Sequence, residues 1–173
     1  LTVEDLDEAY VASARFLHLA WPSPISLAGA HMARKHGVRV GFDAEHYREG
    51  LDEMLPLIDV FIGSEACYHE LFEDDDYAAN CRVVQARGPE IVGFTLGPRG
   101  SVGVAGDDYF AVPSIKVPVR DTTGAGDVYH GAFLYGLLQD WPIEQVARFS
   151  NIVAAIKCIR LGGRAAIPTR EIV

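Results

Sequence analysis

The chain has 173 residues, with 15 Lys and Arg against 24 Asp and Glu and a formal charge of −9 when His is neutral. Hydrophobic residues make up 49% and charged residues 23%, which excludes a mainly disordered chain and leaves room for a sizeable core. The acidic balance argues against general binding to nucleic acid or to an anionic membrane, while leaving open a local anion site built from backbone amides. Three cysteines without CxxC spacing (Cys67, Cys81, Cys158) fit a reducing, cytoplasmic setting and give neither a disulfide framework nor a zinc site. No apolar run approaches the roughly 18 residues that cross a bilayer. Leu1 to Asp5 have neither the basic nor the apolar region of a signal peptide. Without Met, this start is read as lying inside a longer gene product.

The elements alternate along the chain. Residues 16–21 read as a short buried strand, broken by Pro22-Ser23-Pro24. Ile25, Ala28 and Met32 then recur at helical spacing up to Gly37. Val38, Val40 and Phe42 keep strand period. Leu51, Met54, Leu55 and Ile58 mark an amphipathic helix, and residues 60–63 another strand. Helices are expected over 65–72 and 77–87, divided by an acidic run, Glu73 to Asp76, that reads as a solvated loop ending in a helix cap. Residues 91–96 form a buried strand, and 101–105 and 109–112 flank the hairpin signal Gly106-Asp107-Asp108. Ile115, Val117 and Val119 again alternate. Two long helices follow, over 127–140 and over 143–161. Gly131 and Gly136 in the first are expected to allow close helix–sheet contact. With no linker or repeat, the whole chain, 1–173, is read as a single α/β domain with a mostly parallel, doubly wound sheet flanked by helices.

The segment that carries chemistry is Asp121-Thr122-Thr123-Gly124-Ala125-Gly126-Asp127, which opens a long helix. Two glycines around one small residue let the backbone turn tightly and approach a ligand. The first amides of a helix lack partners and carry partial positive charge, so phosphate oxygens are natural guests. The dinucleotide fingerprint GxGxxG fails at Tyr129, and the P-loop fails because Ala132 and Phe133 follow Gly131. On the glycines alone, a plain strand-to-helix turn with Asp127 as a helix-start carboxylate remains equally open. The six histidines are scattered without metal-binding spacing, and Cys158 reads as core.

The whole string resembles the C-terminal signature of the ribokinase, or PfkB, family of carbohydrate kinases. Thr95-Leu96-Gly97-Pro98-Arg99-Gly100-Ser101 resembles that family's nucleotide-side strand and turn, and Asn151 with 157–168 its last helix and tail. The resemblance implies a ribokinase-like fold and ATP-dependent phosphorylation of a sugar hydroxyl, with ATP, Mg²⁺ and K⁺ as cofactors. It makes Asp127 the general base and Gly124, Ala125 and Gly126 the anion hole. Thr95, Gly97 and Gly100 would line the ATP phosphates and ribose, Asn151 would lie near the adenine, and Asp121 and Thr123 would hold the monovalent cation. The partner is a small-molecule sugar, and a homodimer is expected. A nucleoside or other small-alcohol kinase of the same fold, and a non-catalytic nucleotide-binding fragment, remain alternatives.

Two departures stand out. Where many members carry Asn-x-x-Glu for Mg²⁺, this chain has Ser64 and Cys67, and a thiol cannot replace a carboxylate for a hard cation. Glu65 or ATP itself would then hold the metal. This feature, with Lys157-Cys158 and 161–164, is similar to the ketohexokinase-like branch. The family's N-terminal half, with most acceptor contacts and the β lid, is expected to be absent, so the chain alone is expected to have little activity.

Overall fold

The structure, a computed structural model, describes residues 1–169. Six strands follow one another in chain order across one sheet. Two compact units share the chain, one of residues 1–94 and 103–108, the other of residues 95–102 and 109 onward.

In the first unit, α1 (Glu8–Ala12) starts at Asp7, whose carboxylate accepts from the Tyr10 amide at 3.1 Å. It leads into β1 (Phe16–Leu19). Next, α2 (Pro24–Lys35) is capped by Ser23 Oγ, and Pro24 takes a first-turn position where no N–H is needed. Then β2 (Arg39–Ala44) runs parallel to β1, and β3 (Val60–Ser64) runs parallel to β2 with Gly41 opposite Val60. Between those strands the expected helix splits into α3 (Leu51–Met54) and a 3₁₀ turn, Leu55–Leu57. Pro56 brings no N–H, so the α-helical ladder cannot continue through it. The acidic run behaves as expected: it is a loop between α4 (Glu65–Leu71) and α5 (Tyr77–Gln85), and Asp76 accepts from the Ala79 amide.

The core of this unit is aromatic. Phe42, Phe61 and Phe94 are buried, with Phe61 edge-on to Phe94 at 5.9 Å and Tyr68 edge-on to Phe94 at 5.0 Å. Gly63 makes room for this stack, since a Cβ there would stand 2.6 Å from the Phe94 ring.

The last strands are β4 (Ile91–Thr95), β5 (Ser101–Ala105) and β6 (Asp108–Val112), the last two forming the expected hairpin. Residues 115–119, which alternate like a strand, form none. Pro113 and Pro118 interrupt the donors a ladder needs, and Ile115 and Val119 are left exposed.

The second unit is dominated by α6 (Ala125–Leu138) and α7 (Ile143–Lys157). Its tight helix contact is helix on helix rather than helix on sheet: a Cβ on Gly136 would meet both Val146 methyls at 3.1 Å, whereas Gly131 faces open space. Tyr135, Trp141 and Phe149 cluster with ring centroids 5.1–5.9 Å apart. The start of α6 comes two residues earlier than its sequence pattern suggests, because Gly124 supplies the cap. The end of α7 comes four residues early. After Lys157 the ladder tightens to three-residue steps, the Cys158 amide donating to the Ala155 carbonyl and the Ile159 amide to Ile156. The Cys158 carbonyl accepts from the amides of Arg120 at 2.7 Å and Asp121 at 3.2 Å, and Gly162 donates to the Asp121 carboxylate.

Candidate active site

The turn before α6 is fixed from several sides. Gly124 adopts φ 76° at the helix cap, a left-handed conformation that costs other residues roughly 1–2 kcal/mol. It also lies close to the tail after α7, since a Cβ there would sit 3.1 Å from the Gly163 carbonyl oxygen. Asp121 is the brace. Its Oδ1 accepts from the Thr123 amide at 2.9 Å and its Oδ2 from the Gly162 amide at 2.7 Å. These bonds stabilise the ionised carboxylate, with a smaller contribution from Lys157, and draw its pKa from 3.8 down to about 2. Lys157, fully buried, donates from Nζ to the Asp121 carbonyl at 2.9 Å.

The opening turn of α6 leaves donors free. The Ala125 amide bonds to Thr122 and the Val128 amide to Gly124, whereas among the described residues the amides of Gly126 and Asp127 find no acceptor. With Ala125 at the first helical position, Asp127 is at the third, and it is exposed. Two bare N–H groups at the positive end of a 14-residue helix, beside an exposed carboxylate, can bind an anion and accept a proton.

A cavity of about 770 Å³ lies at this turn. Thr123, Gly124, Asp127 and Arg164 give it polar groups, and Val128, Ala132, Tyr135, Phe149, Val153 and Ile167 give it an apolar wall. A mostly apolar concavity with a few aimed polar groups is the usual form of a small-molecule site. The sequence reading left this wall out. Its signals were spacings: 128, 132 and 135 share one face of α6, and 149 and 153 one face of α7.

The other candidates fall elsewhere in the second unit. Thr95, Gly97, Gly100 and Asn151 do not line this cavity. The Leu96 amide bonds to the Gly100 carbonyl at 2.8 Å, closing a tight turn around Gly97 (φ 55°). Gly100 (φ 104°) passes so near residues 112–114 that a Cβ would overlap the Val112 carbonyl oxygen. Asn151 is buried, and its amide donates to Ser101 Oγ at 3.2 Å and to the Val112 carbonyl at 2.9 Å. Cys158 is buried as expected and bonds to the Ala154 carbonyl.

In the first unit, Ser64 caps α4, accepting from the Cys67 amide and donating to the Glu45 carbonyl. Cys67 is fully buried, and burial, with Glu70 and Asp43 adding smaller effects, pushes its thiol up to about 12. These two residues therefore do not fit Mg²⁺ as ligands.

A glycine-capped helix start with bare amides is a feature that suits anions in general. The pfkB family carbohydrate kinase profile matches residues 1–170. The chain belongs to the pfkB family of carbohydrate kinases. It is 29% identical over 171 residues to a ribokinase from Haemophilus influenzae, a match that takes in 95% of this chain and 56% of that protein. Among solved structures, a ribokinase from Thermotoga maritima superposes with a TM-score of 0.84 at 26% identity, over 98% of this chain and 59% of the other. An adenosine kinase from Sinorhizobium meliloti gives a TM-score of 0.83 at 25% identity, over 95% and 55%. The chain thus spans a little over half the length of these relatives. No helix among the described residues is long and apolar enough to cross a membrane.

Proposed function

We propose that the protein carrying this chain transfers the γ-phosphoryl group of ATP to a sugar hydroxyl. The observation that carries this reading is the Gly124–Asp127 turn, with unpartnered amides at Gly126 and Asp127 beside the Asp127 carboxylate on a cavity of about 770 Å³. Asp127 accepts the proton of the acceptor hydroxyl as its oxygen attacks phosphorus. The amides of Gly124, Gly126 and Asp127 hold the oxygens of the migrating group, where stabilising charge in place beforehand lowers the barrier most, while the Ala125 amide, expected in the anion hole, is taken by the Thr122 carbonyl and shapes the turn instead. Arg164 adds a positive charge to the same lining. Mg²⁺ neutralises phosphate charge when bound, and with Ser64 and Cys67 unfit as ligands it is held chiefly by the nucleotide. Thr95, Gly97 and Gly100 belong to this reading as the nucleotide-side turn. Asn151 enters as a residue that ties α7 to residues 101 and 112 rather than by an amide free for the base.

The ketohexokinase-like character of 64–67 and 157–164 points to a ketose within the sugar class, and a homodimer completes the proposal. Phosphorylation of a nucleoside hydroxyl is the second reading, favoured by the likeness to the adenosine kinase. Assaying ADP release from MgATP against ketoses, aldoses and nucleosides separates the two. Turnover with a sugar and none with nucleosides is expected, and ATP bound without turnover on any acceptor refutes both.

A further inference from the structure

Lys157 is a charged side chain with 0% exposure, on the last turn of an otherwise apolar part of α7. A buried ammonium is expensive unless it is paired with oxygens in good geometry. Its Nζ finds the Asp121 carbonyl at 2.9 Å, and Asp121 is engaged at every polar atom. The amide of Asp121 donates to Cys158, its carbonyl accepts from Lys157, and its two carboxylate oxygens accept from Thr123 and Gly162.

This arrangement does not fit the monovalent cation that the sequence leads one to expect at Asp121 and Thr123. A free K⁺ would compete with two N–H donors for the carboxylate, and it would stand beside a fixed positive charge on the same residue. Like charges at such range repel strongly in a partly desolvated site. The place beside Asp121 already holds a cation, and that cation is covalently part of α7.

We propose that the Lys157 ammonium is the resident cation of the Asp121–Gly124 turn, a positioning residue that holds the anion-binding backbone and makes K⁺ unnecessary. This inference rests on the reading of that turn as the cradle for the migrating phosphoryl group. The ammonium fixes the carbonyl of Asp121, the Asp121 carboxylate fixes the amides on either side, and the α6 mouth is thereby set in direction. A displacement of about 1 Å in such a turn can cost on the order of 10²-fold in rate.

The test uses the protein as its gene encodes it, in KCl, NaCl and choline chloride at matched ionic strength. Wild-type turnover with MgATP and its thermal midpoint are expected to be the same in all three salts. A specific requirement for KCl, or a KCl-specific rise in the midpoint, overturns the proposal. In Lys157→Met, which keeps the stem and removes the charge, kcat is expected to fall about 10²-fold with KM for the sugar little changed. Amide exchange at Thr123 and Gly162 should speed up, and KCl but not choline should restore part of both. Wild-type turnover, or exchange indifferent to KCl, in that variant would overturn the proposal, since a merely structural lysine gains nothing from added K⁺. Should Lys157→Met not fold, the wild-type salt comparison decides alone. Should the wild type phosphorylate nothing, the kinase reading fails, and the exchange measurement still judges Lys157.

Discussion

Replacing Asp127 with Asn separates the two roles a carboxylate can have at a helix start. The side chain is exposed at the third position of α6, and among the described residues it forms no side-chain hydrogen bond, so Asn fits the same space. Losing its charge there removes a favourable interaction with the helix dipole, worth roughly 0.3–1 kcal/mol. For a chain of this size that is a shift of a few degrees at most in the thermal midpoint. Loss of a general base, by contrast, typically slows a reaction about 10²–10⁴-fold. At 1.36 kcal/mol per tenfold, that is roughly 3–5 kcal/mol on the barrier. The two roles thus differ several-fold in energy and fall on different observables. Coupled ADP-release kinetics and a thermal melt on the same preparation read both. The expected result is a collapse of kcat with sugar affinity and midpoint nearly intact. Turnover near the wild-type rate would refute the assignment of the base, and parallel loss of activity and midpoint would mark Asp127 as a structural cap.

Three further outcomes follow from the geometry. Gly124→Ala places a side chain at φ 76° and 3.1 Å from the Gly163 carbonyl oxygen, so melts should show a loss of roughly 1–2 kcal/mol or more, accompanied by reduced turnover. Gly63→Ala drives a methyl to 2.6 Å from the buried Phe94 ring, and denaturant titration should show a cost of roughly 1–3 kcal/mol, typical of overpacking. Asp121 has its pKa drawn down from 3.8 to about 2 on folding. A group lowered in this way stabilises the fold above the unfolded value and stops doing so as pH falls through the folded one. The stability advantage of wild type over Asp121→Asn should therefore be constant near neutrality and shrink between about pH 4 and pH 2 in pH-dependent unfolding. A gap unchanged across that window would show that the two backbone bonds do not depend on the charge.

The features legible in the sequence are those whose causes are local. Asp76 caps α5 because its carboxylate reaches an amide three residues on, and a short acidic residue before a helical pattern signals that directly. The hairpin 101–112 announces itself through Gly106-Asp107, and the turn 121–127 through two glycines with a carboxylate after them. Features with distant causes were not legible. Just past α7 the Cys158 carbonyl accepts from Arg120 and Asp121, nearly forty residues earlier in the chain, a pairing that no local pattern signals. Alternation in 115–119 suggested a strand, but two prolines and exposure on both faces decided otherwise. Cys67 looked like a failed metal ligand, and its full burial gives it a packing role instead.

Lys157 is the clearest case of this distinction, and it explains why the site is better defined than its motif. In sequence it is one polar residue closing an apolar helix, and periodicity gives no reason to look at it. Its meaning depends on a carbonyl 36 residues away. The glycine string by itself only permits a tight turn, because glycine widens the conformations available and selects none. Selection comes from Asp121, which binds amides on two segments, and from Lys157, which binds Asp121. Flexible residues at the mouth and charged residues behind it therefore have separate roles. In the proposed reaction the first let backbone N–H groups approach the phosphoryl group, and the second hold those groups in place.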